Sequence, residues 1–196
     1  PSTGKTLAHW PLALETAKCI VGELLDQDIY VQAYVNDTLL VPADCAKAQY
    51  YAKFSRVPFE VAGAGLRQLA EAPHKLLVID DDPEPIRRHL VTVYGNAIKI
   101  VSSSKGFLEI TDPETNKWRA LQFLMKRFEV TREEILTVGD SDNDYEMVAH
   151  AGVGVAMGNA KETIQKAARI ITASNTQSGV SLILRSVMTN QVDVPE

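Results

Sequence analysis

Nine consecutive residues, Leu136-Thr137-Val138-Gly139-Asp140-Ser141-Asp142-Asn143-Asp144, constrain the possible fold more than any other stretch. Ile135 to Val138 is a short apolar run rich in β-branched residues, the pattern of a strand buried in a parallel sheet. Gly139 lets the backbone turn. Asp140 is then left at the carboxyl end of that strand, where open α/β sheets bind ligands. Ser141 followed by Asp144 reads as a helix start with a capping-box-like pair, an aspartate standing where glutamate is usual. Three carboxylates within five residues repel one another unless a cation or a lysine neutralises them. Magnesium suits such a cluster, because hard divalent cations prefer carboxylate oxygen and keep several waters. An acidic strand-to-helix loop facing solvent is the plainer alternative.

The remaining chain supplies alternating elements. Leu12 to Leu25 reads as an amphipathic helix, with Leu14, Cys19, Ile20 and Leu24 on one face. Ile29 to Val35 is strand-like, Asn36-Asp37 makes a turn, and Thr38 to Val41 returns as a second strand. Ala43 to Phe54 is helical, and Ala62 to Gly65 is a turn before a further helix. Lys75 to Ile79 is a strand, Pro83 to Tyr94 a helix with proline in its first turn, and Ala97 to Val101 a strand. Phe107 to Ile110 precedes a polar linker, Thr111 to Asn116. A helix then spans Lys117 to Phe128. After Asp140 come a helix, a strand (Gly152 to Ala156), a helix (Lys161 to Ala168), a strand (Arg169 to Thr172) and a final helix. This last alternation implies a parallel, doubly wound α/β sheet.

Composition excludes several classes. A net charge of −5 argues against a nucleic-acid partner. No apolar run approaches the roughly 20 residues that a membrane span needs. No signal-peptide pattern is present, and the chain opens on Pro-Ser-Thr-Gly, which suggests a fragment or processed form. Gly4-Lys5-Thr6 echoes the end of a P-loop but lacks its first glycine and preceding strand. Cys19 and Cys45, without C-x-x-C spacing, are expected to be small buried thiols in a reduced cytoplasm.

The Gly139–Asp144 stretch resembles the GDxxND motif of the haloacid dehalogenase (HAD) superfamily. The resemblance continues through Ala151-Gly152-Val153-Gly154-Val155-Ala156-Met157-Gly158-Asn159-Ala160, then Ala167 to Thr172, Ser174-Asn175 and Ser178-Gly179-Val180. Together these are similar to the C-terminal third of the Cof-type sugar-phosphate phosphatases, closely from Glu109 onward and more loosely before. The resemblance implies an HAD-like doubly wound parallel core, incomplete here, with an α+β cap domain of the C2 type. Residues 1–10 would approach the cap from the core, 11–112 would form the cap, and 113–196 would be the C-terminal part of the core. It further implies Mg²⁺ as cofactor and a small phosphorylated metabolite as substrate.

Lys117 is the second candidate. A lysine at a helix start is electrostatically disfavoured unless an anion offsets it. In the family a lysine ahead of the Gly-Asp loop bridges the nucleophile carboxylate and the phosphate. Here the surroundings are Asn116-Lys117-Trp118 where the family pattern is Ser-Lys-Gly. By the same resemblance Asp140 would bind the metal directly, and Asp144 would bind it through water or hold Lys117. Asn143 would reach the phosphate or order the nucleophile. Tyr34, Asn36 and Asp37 are candidates for cap loops that set specificity.

The family chemistry also needs an Asp-x-Asp-Gly nucleophile motif and a later Ser or Thr, which precede the cap. The chain thus resembles an enzyme without its N-terminal catalytic third and is expected to be inactive alone. The strand Ile135–Val138 would then have an unpaired edge, with self-association as one way to cover it. Other readings stay open. Asp80 and Asp82 after the strand Leu76–Ile79, with Ser102-Ser103-Ser104 after Val101, would describe a compact, capless HAD phosphatase. The same acidic run also resembles the start of a response-regulator receiver domain. Lastly, the chain could bind phosphate ligands or a partner chain without catalysis.

Overall fold

The computed structural model describes residues 6–189. The chain divides into two compact units at Thr115/Asn116. Residues 1–5 of the expected approach segment, with Gly4 and Lys5 of the P-loop echo, lie outside the described residues.

In the first unit α1 (Leu14–Asp26) is followed by β1 (Val31–Val35), β2 (Thr38–Val41), α2 (Ala46–Ser55) and β3 (Phe59–Val61). A 3-10 helix (Gly63–Gln68) leads to β4 (Lys75–Ile79), α3 (Glu84–Tyr94), β5 (Lys99–Ser104) and β6 (Phe107–Thr111). The strands form a six-stranded sheet in the order β3-β2-β1-β4-β6-β5. All neighbours are antiparallel except β2 and β3. Period-two alternation sends Leu76, Val78, Leu108 and Ile110 to one face, where they pack with α1, α3 and Leu66. Leu77, Ile79 and Phe107 point to the other face, under Ala48 and Tyr51 of α2. The β1–β2 turn holds Asn36 and Asp37 at φ 46° and 64°, the left-handed pair that a two-residue hairpin of matching twist requires.

Two expectations change here. Cys19 is exposed and Cys45 only half-buried, at the residue before α2. The buried stripe of α1 is Ala17, Ile20, Val21 and Leu24, and Cys19 falls on the opposite side of a 3.6-residue turn. The compact, capless arrangement fails on topology, as does the receiver-like one. The strand that ends at Asp80 pairs antiparallel on both sides, with β1 and β6, in a sheet that does not contain Leu136–Gly139. Asp80 accepts the Asp82 backbone N–H at 3.0 Å and lies 3.7 Å from the Lys47 ammonium. Ser102 and Ser104 belong to β5 itself rather than to a loop after it.

The second unit comprises α4 (Lys117–Phe128), β7 (Leu136–Gly139), a 3-10 turn (Asp142–Asp144), α5 (Tyr145–His150) and β8 (Val153–Ala156). It continues with α6 (Glu162–Ala167), β9 (Ile170–Ile171) and α7 (Gly179–Met188). The three strands are parallel in the order β7-β8-β9, so β7 is an edge strand among the described residues. Val148, Ala156 and Ile164 form its apolar centre, with Met147, Ala160 and Ala168 packed around them. Gly154 lets α5 sit directly on β8: a Cβ there would lie 1.9 Å from the Val148 carbonyl oxygen.

Candidate active site

The site is built at the carboxyl end of β7. Asn116 opens α4 as a helix cap, its side-chain oxygen accepting the Arg119 backbone N–H at 2.8 Å. Lys117 is therefore the first helical residue, where the positive end of the helix dipole disfavours its charge. An anion does offset it. The Lys117 ammonium donates to Asp144 Oδ1 at 2.5 Å. Trp118, at the position of the family glycine, lies with its ring 5.7 Å from that of His150 and ties α4 to α5.

Asp144 is the buried member, only 3% exposed. Its second oxygen accepts the backbone N–H groups of Asp140 at 3.0 Å and Ser141 at 3.2 Å. Both oxygens of Asp144 are thus engaged, and the same carboxylate holds Lys117 and shapes the Gly-Asp loop. Burial pushes this carboxyl up, but the Lys117 ammonium and the Asp140 and Ser141 N–H groups outweigh it and hold the group below the ordinary 3.8. A depressed carboxyl stabilises the fold above its unfolded value, and that stability is lost as pH falls through the lower folded value. The second unit should therefore weaken in acid below about pH 4, where unfolded aspartates begin to protonate. Denaturant titrations at pH 6 and pH 3 measure this, and Asp144→Asn should flatten the difference; an equally steep loss in that variant would refute the assignment.

Asp140 and Asn143 are both exposed. The Ser141 hydroxyl donates to Asn143 Oδ1 at 2.7 Å, which orients that amide. The acidic stretch is a 3-10 turn before α5, in which the Asp144 carboxylate reaches back to the Ser141 N–H. Among the described residues no group of three or more His, Cys, Asp or Glu side chains is gathered as a metal-binding set. Magnesium requires fewer: it uses one or two carboxylates, with water and substrate phosphate filling the other positions. Asp140 meets that need, while Asp144 is engaged by Lys117 on Oδ1 and by the Asp140 and Ser141 N–H groups on Oδ2. The residues fit a hard cation held directly through Asp140.

One participant was not evident from residue type. Lys161, just before α6, forms an ion pair with Asp142, and its backbone N–H donates to the Asp140 carbonyl at 3.3 Å. A signal existed: β8 runs parallel beside β7, with Gly139 opposite Ala156, so the loop after β8 must arrive next to Asp140. In the first unit the Tyr34 hydroxyl donates to Tyr51 at 3.1 Å and Asn36 donates to Glu71 at 2.7 Å. Both contacts are internal to that unit.

A parallel α/β sheet with an aspartate loop at a strand's carboxyl end, and a lysine held beside it on a buried carboxylate, sets a charged site where open α/β sheets bind their ligands. The chain belongs to the haloacid dehalogenase-like hydrolases, whose family model matches residues 1–184. It is 25% identical over 203 residues to the 5-amino-6-(5-phospho-D-ribitylamino)uracil phosphatase YwtE of Bacillus subtilis, covering 90% of this chain and 71% of that protein. The crystal structure of TM0651 from Thermotoga maritima is similar at a TM-score of 0.80 and 34% identity, over 89% of this chain and 67% of that one. The subclass IIB sugar phosphatase BT4131 shares the fold at a TM-score of 0.79 and 19% identity, over 95% of this chain and 71% of that one. The chain spans less than half the length of the first curated relatives it matches. Among the described residues no helix is long and apolar enough to cross a membrane.

Proposed function

We propose that the chain serves a Mg²⁺-dependent phosphomonoester hydrolase that acts on sugar phosphates or similar small phosphorylated metabolites. The observation that carries this reading is the Lys117 ammonium on buried Asp144, beside exposed Asp140 at the end of a parallel strand. The relative that hydrolyses a phosphoribityl compound supports the substrate class. The first unit is read as the cap and the second as part of the catalytic core, in a cytoplasmic protein.

Asp144 fixes Lys117 so that one positive charge is preorganised where charge on a transferring phosphoryl group gathers. Asp140 presents the oxygen that would hold Mg²⁺, which when bound stabilises charge on phosphate oxygens as a Lewis acid. Asn143 hydrogen-bonds a phosphate oxygen or the attacking carboxylate. The nucleophile is an aspartate of an Asp-x-Asp-Gly segment, a motif absent from these 196 residues. Its carboxylate takes the phosphoryl group as the alcohol leaves, and water then hydrolyses the aspartyl-phosphate.

The chain by itself should release no phosphate from p-nitrophenyl phosphate at a useful rate, and joining a nucleophile-bearing segment to it should create Mg²⁺-dependent turnover. Robust turnover by these residues alone would overturn the assignment of the nucleophile. A second reading, a phosphate- or partner-binding chain that self-associates through the edge of β7, is favoured by that strand's position in the sheet. Sedimentation of the same preparation as a stable monomer at high concentration would count against it.

A further inference from the structure

Three carboxylates and two lysines meet at the end of β7, and their pairing is unequal. Asp144 is taken by Lys117 and Asp142 by Lys161. Asp140 is exposed, and among the described residues no ion pair holds its carboxylate. Lys161 and Asp142 are themselves 61% and 58% exposed at their side chains, so their ion pair adds little to folding. Its geometry is nevertheless specific. The loop after β8 is stitched to the Gly-Asp loop by the Met157 N–H on the Gly139 carbonyl at 2.9 Å and by the Lys161 N–H on the Asp140 carbonyl at 3.3 Å. These backbone bonds bring Lys161 beside the Gly-Asp loop, where its ammonium pairs with Asp142.

We propose that Lys161 is a positioning residue that holds Asp142 away from the cation, so that a divalent ion at the strand end meets Asp140 as its one carboxylate from this loop. This rests on the reading of Asp140 as a cation ligand. The physical logic is charge and ligand number. With Lys161 in place the loop shows a cation one carboxylate and several water positions, the arrangement that magnesium accepts. Without it, Asp142 stands free two residues from Asp140 and offers a second oxygen donor. Larger, more flexible cations such as calcium, which collect six to eight oxygens, gain most from that.

The test is a titration of the isotope-labelled chain with Mn²⁺, read as paramagnetic broadening of the amide signals around Gly139–Asp144, with Mg²⁺ and Ca²⁺ as competitors. Lys161→Gln should bind Mn²⁺ roughly three- to tenfold more tightly, the order of effect expected when one nearby positive charge is removed from a divalent ion's surroundings in a high dielectric. Its preference should also shift from Mg²⁺ toward Ca²⁺. Asp142→Asn, which frees the lysine, should weaken binding by a similar factor. The double variant should return to within about twofold of the parent, because the partners act only through each other. Lys161→Arg should behave as the parent. Unchanged or weaker binding in Lys161→Gln, or a double variant that does not return, would overturn the proposal and leave Lys161 a structural contact. Asp140→Asn separates the two levels. If it leaves Mn²⁺ binding intact, or if the parent binds no Mn²⁺, the reading of Asp140 itself fails. If it abolishes binding while Lys161→Gln matches the parent, only the role of Lys161 is lost.

Discussion

Lys117→Ala, introduced into an active form that carries the nucleophile segment, should lower kcat by about 10²-fold or more, the usual cost of losing one preorganised donor. Added Mg²⁺ should not restore it, because the lost charge sits on a side chain fixed by Asp144. Asp140→Asn should fail differently. It keeps the shape but removes a negative charge from the metal-facing oxygen, so metal affinity falls and excess Mg²⁺ recovers part of the rate. Lys126, exposed in the last turn of the same helix, is the control and should be nearly silent when changed to alanine. Steady-state kinetics across a magnesium series distinguish these outcomes. A crippling Lys126→Ala beside a silent Lys117→Ala would misplace the lysine, and an unaltered magnesium dependence in Asp140→Asn would remove that residue from the metal.

Gly154→Ala should unfold the second unit. The added methyl would lie 1.9 Å from the Val148 carbonyl oxygen and 2.8 Å from its carbon, and neither is a flexible side-chain end. Relief requires α5 to lift from β8, which breaks the packing of Val148 on Ala156 and Ile164. Overpacking of this kind costs about 1–3 kcal/mol and at times more, and with a backbone obstacle about 3 kcal/mol or more is expected. Amide exchange should show protection lost across β7, β8 and α5 while β1, β4 and β6 keep theirs. Gly65→Ala, which meets nothing within 4 Å, should leave both units unchanged. Equal protection in Gly154→Ala and the parent would refute this account of the α5–β8 contact.

The close contact at Gly154 is not foreseeable from composition or periodicity, because Val148 lies six residues away on another element and meets Gly154 only through the packing of α5 on β8. Local order was far more legible. β2, β4 and α4 occupy the spans that alternation, turn residues and helix periodicity indicate: Thr38–Val41, Lys75–Ile79 and Lys117–Phe128. Each of those signals is written within one element, in how its apolar residues repeat and how its ends are capped. Cys19 shows the limit: it is expected on the apolar face of α1 with Leu14, Ile20 and Leu24, whereas the residues buried against the sheet are Ala17, Ile20, Val21 and Leu24.

Residue type and spacing alone determined that a strand ends at Asp140, that three acids crowd it, and that Lys117 opens a helix which disfavours its charge. Two matters were decided by the tertiary structure. One is the strand ending at Asp80, whose acidic run reads like a catalytic motif until β1 and β6 flank it antiparallel. The other is which lysine meets which acid. Asp144 and Lys117 stand 27 residues apart, and Asp142 and Lys161 stand 19 apart. A charge's partner depends on where the chain returns in space, and that is set by the parallel register of β7 and β8 and by the packing of α4 on α5, not by any pattern within one element.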